Sequence, residues 1–80
     1  MSNYQEAIDH LSILANDADA SKSFKIKTEA AVKILQSDTD LAIDKALLEL
    51  EELNSSDLSS YHRTQIWDII SLLESLKTNP

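Results

Sequence analysis

Asn16-Asp17-Ala18-Asp19-Ala20-Ser21 and Asn54-Ser55-Ser56-Asp57-Leu58-Ser59 are one polar turn written twice, 38 residues apart. The match extends outward from both copies. Downstream, Lys25, Ala31 and Leu35 recur at the same offset as Arg63, Ile69 and Leu73. Upstream, Tyr4, Ala7, Ile8, Leu11 and Leu14 correspond to Ile43, Ala46, Leu47, Leu50 and Leu53 at an offset of 39, so one residue is deleted near the second turn. Each copy reads as helix, turn, helix. An internal repeat of this kind makes architecture legible before any chemistry is considered.

The chain has 80 residues, no glycine and one proline, Pro80. That length suits a single domain, 1–80, and leaves only a thin margin of stability. Helix breakers are missing from the interior and leucine, alanine, lysine and glutamate abound, so the fold class is all-α. The spacing predicts four helices, from about Asn3 to Asn16, Ser21 to Gln36, Asp40 to Leu53, and Ser59 to Leu76.

Apolar residues recur every three or four positions in each helix. The stripes are Tyr4, Ala7, Ile8, Leu11, Leu14, Ala15 and Ala18; Phe24, Ala30, Ala31, Ile34 and Leu35 with Ile26 at the edge; Ile43, Ala46, Leu47, Leu50 and Leu53; and Ile66, Ile69, Ile70, Leu73 and Leu76. Capping boxes are available to the first helix as Ser2 with Gln5 or Asn3 with Glu6. Asp38 and Asp40 suit the N-terminal dipole of the third helix, and Lys77 the C-terminal dipole of the fourth.

Connections this short make successive helices antiparallel neighbours. No single helix buries its stripe alone. An antiparallel up-and-down four-helix bundle of two pseudo-symmetric helical hairpins is the simplest solution. Stacked hairpins, as in a two-repeat solenoid, are the competing geometry.

The formal net charge is −7 and there is no cysteine. Disulfides and thiolate metal sites are excluded. No apolar run is long enough to span a membrane, and Met1 to Glu6 lack the features of a secretory signal, so the expected location is the cytoplasm. Acidity disfavours nucleic acid and anionic lipid. Charge is unevenly spread, however. Lys22, Lys25, Lys27 and Lys33 face Glu29 alone in their segment, whereas Asp38, Asp40, Asp44, Glu49, Glu51 and Glu52 face only Lys45. The plain reading is two helices of opposite sign that attract each other. The sharper one is a small basic face.

Catalytic signatures are missing. His10 has Glu6 one turn before it, but the residues three before His10 and His62 are Ala7 and Ser59, so the Glu-x-x-His pattern of metal-binding bundles is absent. No Gly-x-Ser-x-Gly elbow or glycine-rich phosphate loop exists. Serines gather at turns, where they suit helix capping. Asp19 and Asp57 each precede a helix whose second turn carries a cation, Lys25 or Arg63, which suggests capping and a local ion pair. The expectation is a non-enzyme with no cofactor, metal or small-molecule substrate.

Tyr61-His62-Arg63-Thr64-Gln65-Ile66-Trp67 holds the only tryptophan and the only arginine. Trp67 lies about 100° around the helix from Ile66, at the rim of the apolar face. Arg63 is one turn earlier and could lie along its ring. Trp67 therefore either plugs the side of a small core or joins an interaction surface, since these residue types dominate binding hot spots. The candidate partner-binding residues are Tyr61, Arg63 and Trp67, helped by Lys25 and Lys33. The expected function is a small protein-interaction or adaptor domain with a protein partner or a second copy, as in a homodimer. The alternative is an RNA- or nucleoprotein-associated factor using the helix-two lysines.

Asn16-Asp17 in the first turn, then Arg63-Thr64 and Ile66-Trp67 in the last helix, resemble the pattern of a family of short, uncharacterised archaeal proteins, UPF family 0147. Length, acidity and four-helix layout are also similar. The family tends to start helices two and four with proline, where this chain has Ser21 and Ser59. The resemblance implies a bromodomain-like four-helix fold and an archaeal, cytoplasmic source. It implies no activity, cofactor or catalytic residue.

Overall fold

The computed structural model describes residues 4–37, 41–56 and 58–78. They form four helices, α1 (Gln5–Ala15), α2 (Lys22–Ser37), α3 (Ala42–Asn54) and α4 (Ser60–Thr78), and no strand. Among the described residues the backbone of each helix packs against its neighbours in sequence, and α1 also packs against α4, while the diagonal pairs keep their backbones apart and α2 reaches α4 only through side chains. The first and last helices thus close a ring around one core. The bundle measures 35 × 18 × 17 Å, two helices wide in each short direction.

The core is built by the stripes. Ala7, Ile8, Leu11 and Leu14 of α1 meet Phe24, Ala31 and Leu35 of α2, Ala46, Leu47, Leu50 and Leu53 of α3, and Ile66, Ile69, Ile70 and Leu73 of α4. Each large apolar side chain buried there contributes roughly 1.5–3 kcal/mol relative to exposure. Ile34, Ile43 and Leu76 pack half-buried against that core. Four expected stripe residues lie outside that cluster: Ala15 is buried apart from it, and Ala30 is half-buried. Ala18 is exposed because α1 has already ended at Asn16, and Ile26 projects into solvent.

Two polar residues are buried with the apolar ones, Thr28 and His62. Thr28 satisfies its hydroxyl within its own helix, donating to the carbonyls of Phe24 and Lys25 at 2.9 and 3.0 Å. This is the local back-bond that allows a threonine inside a helix.

Opposite charge does draw α2 to α3. Lys27 Nζ lies 2.9 Å from Glu52 and 3.4 Å from Glu49. Lys77 is near the end of α4, where the dipole favours it, and also pairs with Asp44 of α3 at 2.6 Å. The boxes at Ser2–Gln5 and Asn3–Glu6, the dipole role of Asp38 and Asp40, and the capping role of Asp57 fall on partners outside the described residues. Gln5 itself donates to Asp9 one turn on, at 2.8 Å. Among the described residues no helix is long and apolar enough to cross a membrane.

Candidate functional site at the paired turns

The two copies of the polar turn sit together at one end of the bundle. Each starts its helix in the same way. Ser21 Oγ accepts the Phe24 N–H at 3.1 Å, and Ser59 Oγ accepts the His62 N–H at 3.2 Å. These are side-chain N-caps, each satisfying an amide that the first helical turn leaves without a partner. Serine thus takes the place of a helix-starting proline without loss of a defined start.

Asp17 organises the first turn. Its carbonyl accepts the Ala20 N–H at 3.0 Å, and its Oδ1 accepts the Asp19 N–H at 3.0 Å. Its Oδ2 lies 2.9 Å from His62 Nε2, 45 residues along the chain. An ionised carboxylate only accepts hydrogen bonds, so Nε2 carries the proton and donates. The Asp19 amide first, then the His62 bond, hold the Asp17 carboxyl below its usual range; Lys25 adds a smaller electrostatic pull. The expected ion-paired Asp19 is therefore replaced by Asp17. Asp19 lends its amide rather than its carboxylate, because the tight turn points that N–H back at Asp17 Oδ1.

His62 is only 6% exposed and stacks on Phe24, with ring centroids 4.4 Å apart and planes 26° apart. Tyr61, by contrast, is 59% exposed and tilts against His62 at 5.6 Å. Beside these rings runs an open groove of about 680 Å³. Asp17, Asp19, Ser21 and Phe24 line it from the first turn, and Leu58, Ser59, Tyr61 and His62 from the second.

The candidate partner-binding residues divide among several places. Tyr61 walls the groove, and Lys25 lies near enough to Asp17 to act on its charge. Arg63 donates to the Asn54 carbonyl at 3.1 Å, anchoring α4 to the end of α3. Among the described residues that carbonyl, rather than the Trp67 ring, is its partner; the expected pairing with Asp57 lies outside them. Trp67 is 53% exposed on the outer side of α4 and does not plug the core. Lys33 lines a separate depression of about 430 Å³ with Glu29, Ser12 and Asn16, between α1 and α2.

His10 is half-buried rather than fully solvated. Its Nε2 meets Gln65 Oε1 at 2.6 Å, tying α1 to α4 in place of any contact with Glu6. Among the described residues no three His, Asp or Glu side chains converge as a metal site. The residue that sequence reasoning missed is His62. Its signal was present: it is the repeat counterpart of Phe24, a core residue.

No curated protein and no solved structure matches the chain. Residues 2–76 match the model of an uncharacterised protein family, UPF0147, and the chain belongs to that family.

Proposed function

We propose that this member of the UPF0147 family is a non-enzymatic interaction module, binding a protein partner through the first half of α4. The observation that carries the reading is Trp67. A tryptophan offers more apolar surface than almost any other residue, and here about half of it faces solvent. Burying that ring against a partner would release water from it, whereas leaving it exposed brings the monomer nothing. Arg63, one turn earlier, is already held by the Asn54 carbonyl, so its guanidinium would meet a partner with little further loss of freedom. Tyr61 adds a second exposed ring.

The RNA reading has weaker support. Of the helix-two lysines, Lys27 is engaged by two carboxylates and Lys25 sits beside Asp17. Lack of RNA binding at about 50 mM salt, where phosphate contacts are strongest, would remove it.

The test is Trp67→Ala beside Trp67→Phe in the full chain. Sedimentation should show any self-association reduced by the alanine and largely kept by the phenylalanine. A partner captured from the source cells should follow the same order. If both variants assemble and capture as the parent does, the α4 surface is not the interface.

A further inference from the structure

We propose that the groove between the paired turns receives a lysine or arginine side chain from a basic segment of a protein partner. The proposal rests on the interaction reading above only in making the occupant a protein. Tyr61 and Trp67 are six residues apart, about 240° around the helix, so the groove and the Trp67 surface can succeed or fail separately.

Charge decides the sign of the occupant. Two helices begin at this end, and helix starts on their own favour an anion. Here, however, that end already holds the carboxylates of Asp17 and Asp19, and among the described residues no lysine or arginine lines the groove. Two full charges outweigh the fractional charge of two helix ends, and Lys25 adds only a minor pull at Asp17 from outside the lining. Asp17 is kept ionised by the Asp19 amide and by His62. A carboxylate has about four lone-pair directions, and these two bonds leave some for a further donor.

Shape and rigidity point the same way. The volume, about 680 Å³, lies within the usual range for a binding cleft. Tyr61 presents an exposed ring at the wall, where a cation can sit over the π-face. The base does not need to move. Phe24 and His62 are buried and stacked, and both serine caps hold their helix starts in place. A cationic side chain would thus find two carboxylates and a ring already arranged.

The experiment is an NMR titration of the full chain with an arginine-rich peptide and with its glutamate-rich counterpart, at about 50 mM salt to limit screening. The arginine-rich peptide should shift the amides of Asp19, Ser59 and Tyr61, and the glutamate-rich one should not. Asp19→Asn should weaken binding about two- to five-fold, as for an exposed charge, and Asp19→Lys should abolish it. Asp19 is exposed and its carboxylate makes no bond among the described residues, so these variants spare the fold. Trp67→Ala should leave the groove titration unchanged, whatever it does to assembly. Groove amides that stay still, that respond equally to both peptides, or that respond undiminished in Asp19→Lys would overturn the proposal.

Discussion

Phe24 and His62 hold the same place in the two copies of the repeat, 38 residues apart, and the fold stacks them ring on ring at 4.4 Å. Each is the third residue after a capping serine, and each gives its amide to that serine. The two copies of the repeat therefore meet at equivalent positions. One half supplies a hydrocarbon ring. The other supplies an imidazole that also reaches Asp17. The two rings differ in chemistry, and the imidazole adds a buried polar link between the hairpins to the more exposed ones that Lys27 and His10 make.

Truncating that link should be costly. His62→Ala removes the ring beneath Phe24 and the partner of Asp17, and should lower stability by about 2–4 kcal/mol. His62→Phe restores the repeat's own residue and keeps the stack, losing only the hydrogen bond, so its cost should be about 1 kcal/mol. Urea unfolding followed by circular dichroism measures both. Equal losses in the two variants would show that the hydrogen bond, not the stacked ring, holds the hairpins together.

Thr28 offers the opposite case, a buried polar group whose bonds are wholly local. Thr28→Val keeps the shape and deletes a hydroxyl that donates only to carbonyls of its own helix. Those carbonyls keep their helical N–H partners, so the change should stay within about 1 kcal/mol. Thr28→Asp instead buries a charge at a site with no solvent access and should unfold the protein. The denaturation midpoint of each variant decides the matter.

The repeat explains why the fold could be read in advance. Stripes at helical spacing, serines at the turns and the absence of glycine leave a four-helix arrangement as the cheap way to bury Leu11, Phe24, Leu50 and Ile69. The site was less legible. Charge pairing between α2 and α3 follows from segment composition, and Lys27 realises it. Which carboxylate of the first turn would meet the second half depends on turn geometry, and Asp17 and Asp19 differ only by which way a tight turn aims them. Arg63 likewise had an aromatic candidate in Trp67, and it donates instead to a backbone carbonyl at the end of α3. His62 was hidden by its type: a lone histidine beside exposed tyrosine and arginine reads as surface until its repeat partner, Phe24, is set next to it.

Acid should weaken the fold through two carboxylates. The folded pKa of Asp17 lies below its ordinary 3.8, chiefly through the Asp19 amide, and that of Glu52 below 4.5, chiefly through Lys27. A carboxyl lowered by folding stabilises fully above its unfolded value and loses that contribution as pH falls through the folded one. Stability should therefore hold from near pH 5 upward and decline below about pH 4. At the other extreme, Lys27 is raised above 10.5 chiefly by Glu52, and Lys77 chiefly by Asp44. Their contribution is complete below 10.5 and disappears as pH climbs through the raised values. Unfolding midpoints across pH should thus form a plateau with two shoulders. Asp17→Asn should remove part of the acid shoulder and leave the alkaline one, and Lys27→Met should remove part of each, since Glu52 loses its partner while Lys77 keeps Asp44. An acid shoulder untouched by either change would place the sensitive carboxylates elsewhere.

Trp67 is the chain's single tryptophan, so its emission reports one position. In the monomer the ring is half exposed, and its fluorescence should be red-shifted and readily quenched by acrylamide, close to the unfolded chain. Burial against a partner or a second copy removes water from the ring, which should move emission to the blue and slow quenching. Dilution separates the two cases. A blue, protected signal at high concentration that turns red on dilution, with circular dichroism unchanged, reports self-association through α4. A signal that stays red at every concentration but turns blue when a partner is added assigns the surface to a different protein. Emission that is blue and protected at every dilution, with sedimentation showing a monomer, would instead put Trp67 inside the bundle and remove the basis for an α4 interface.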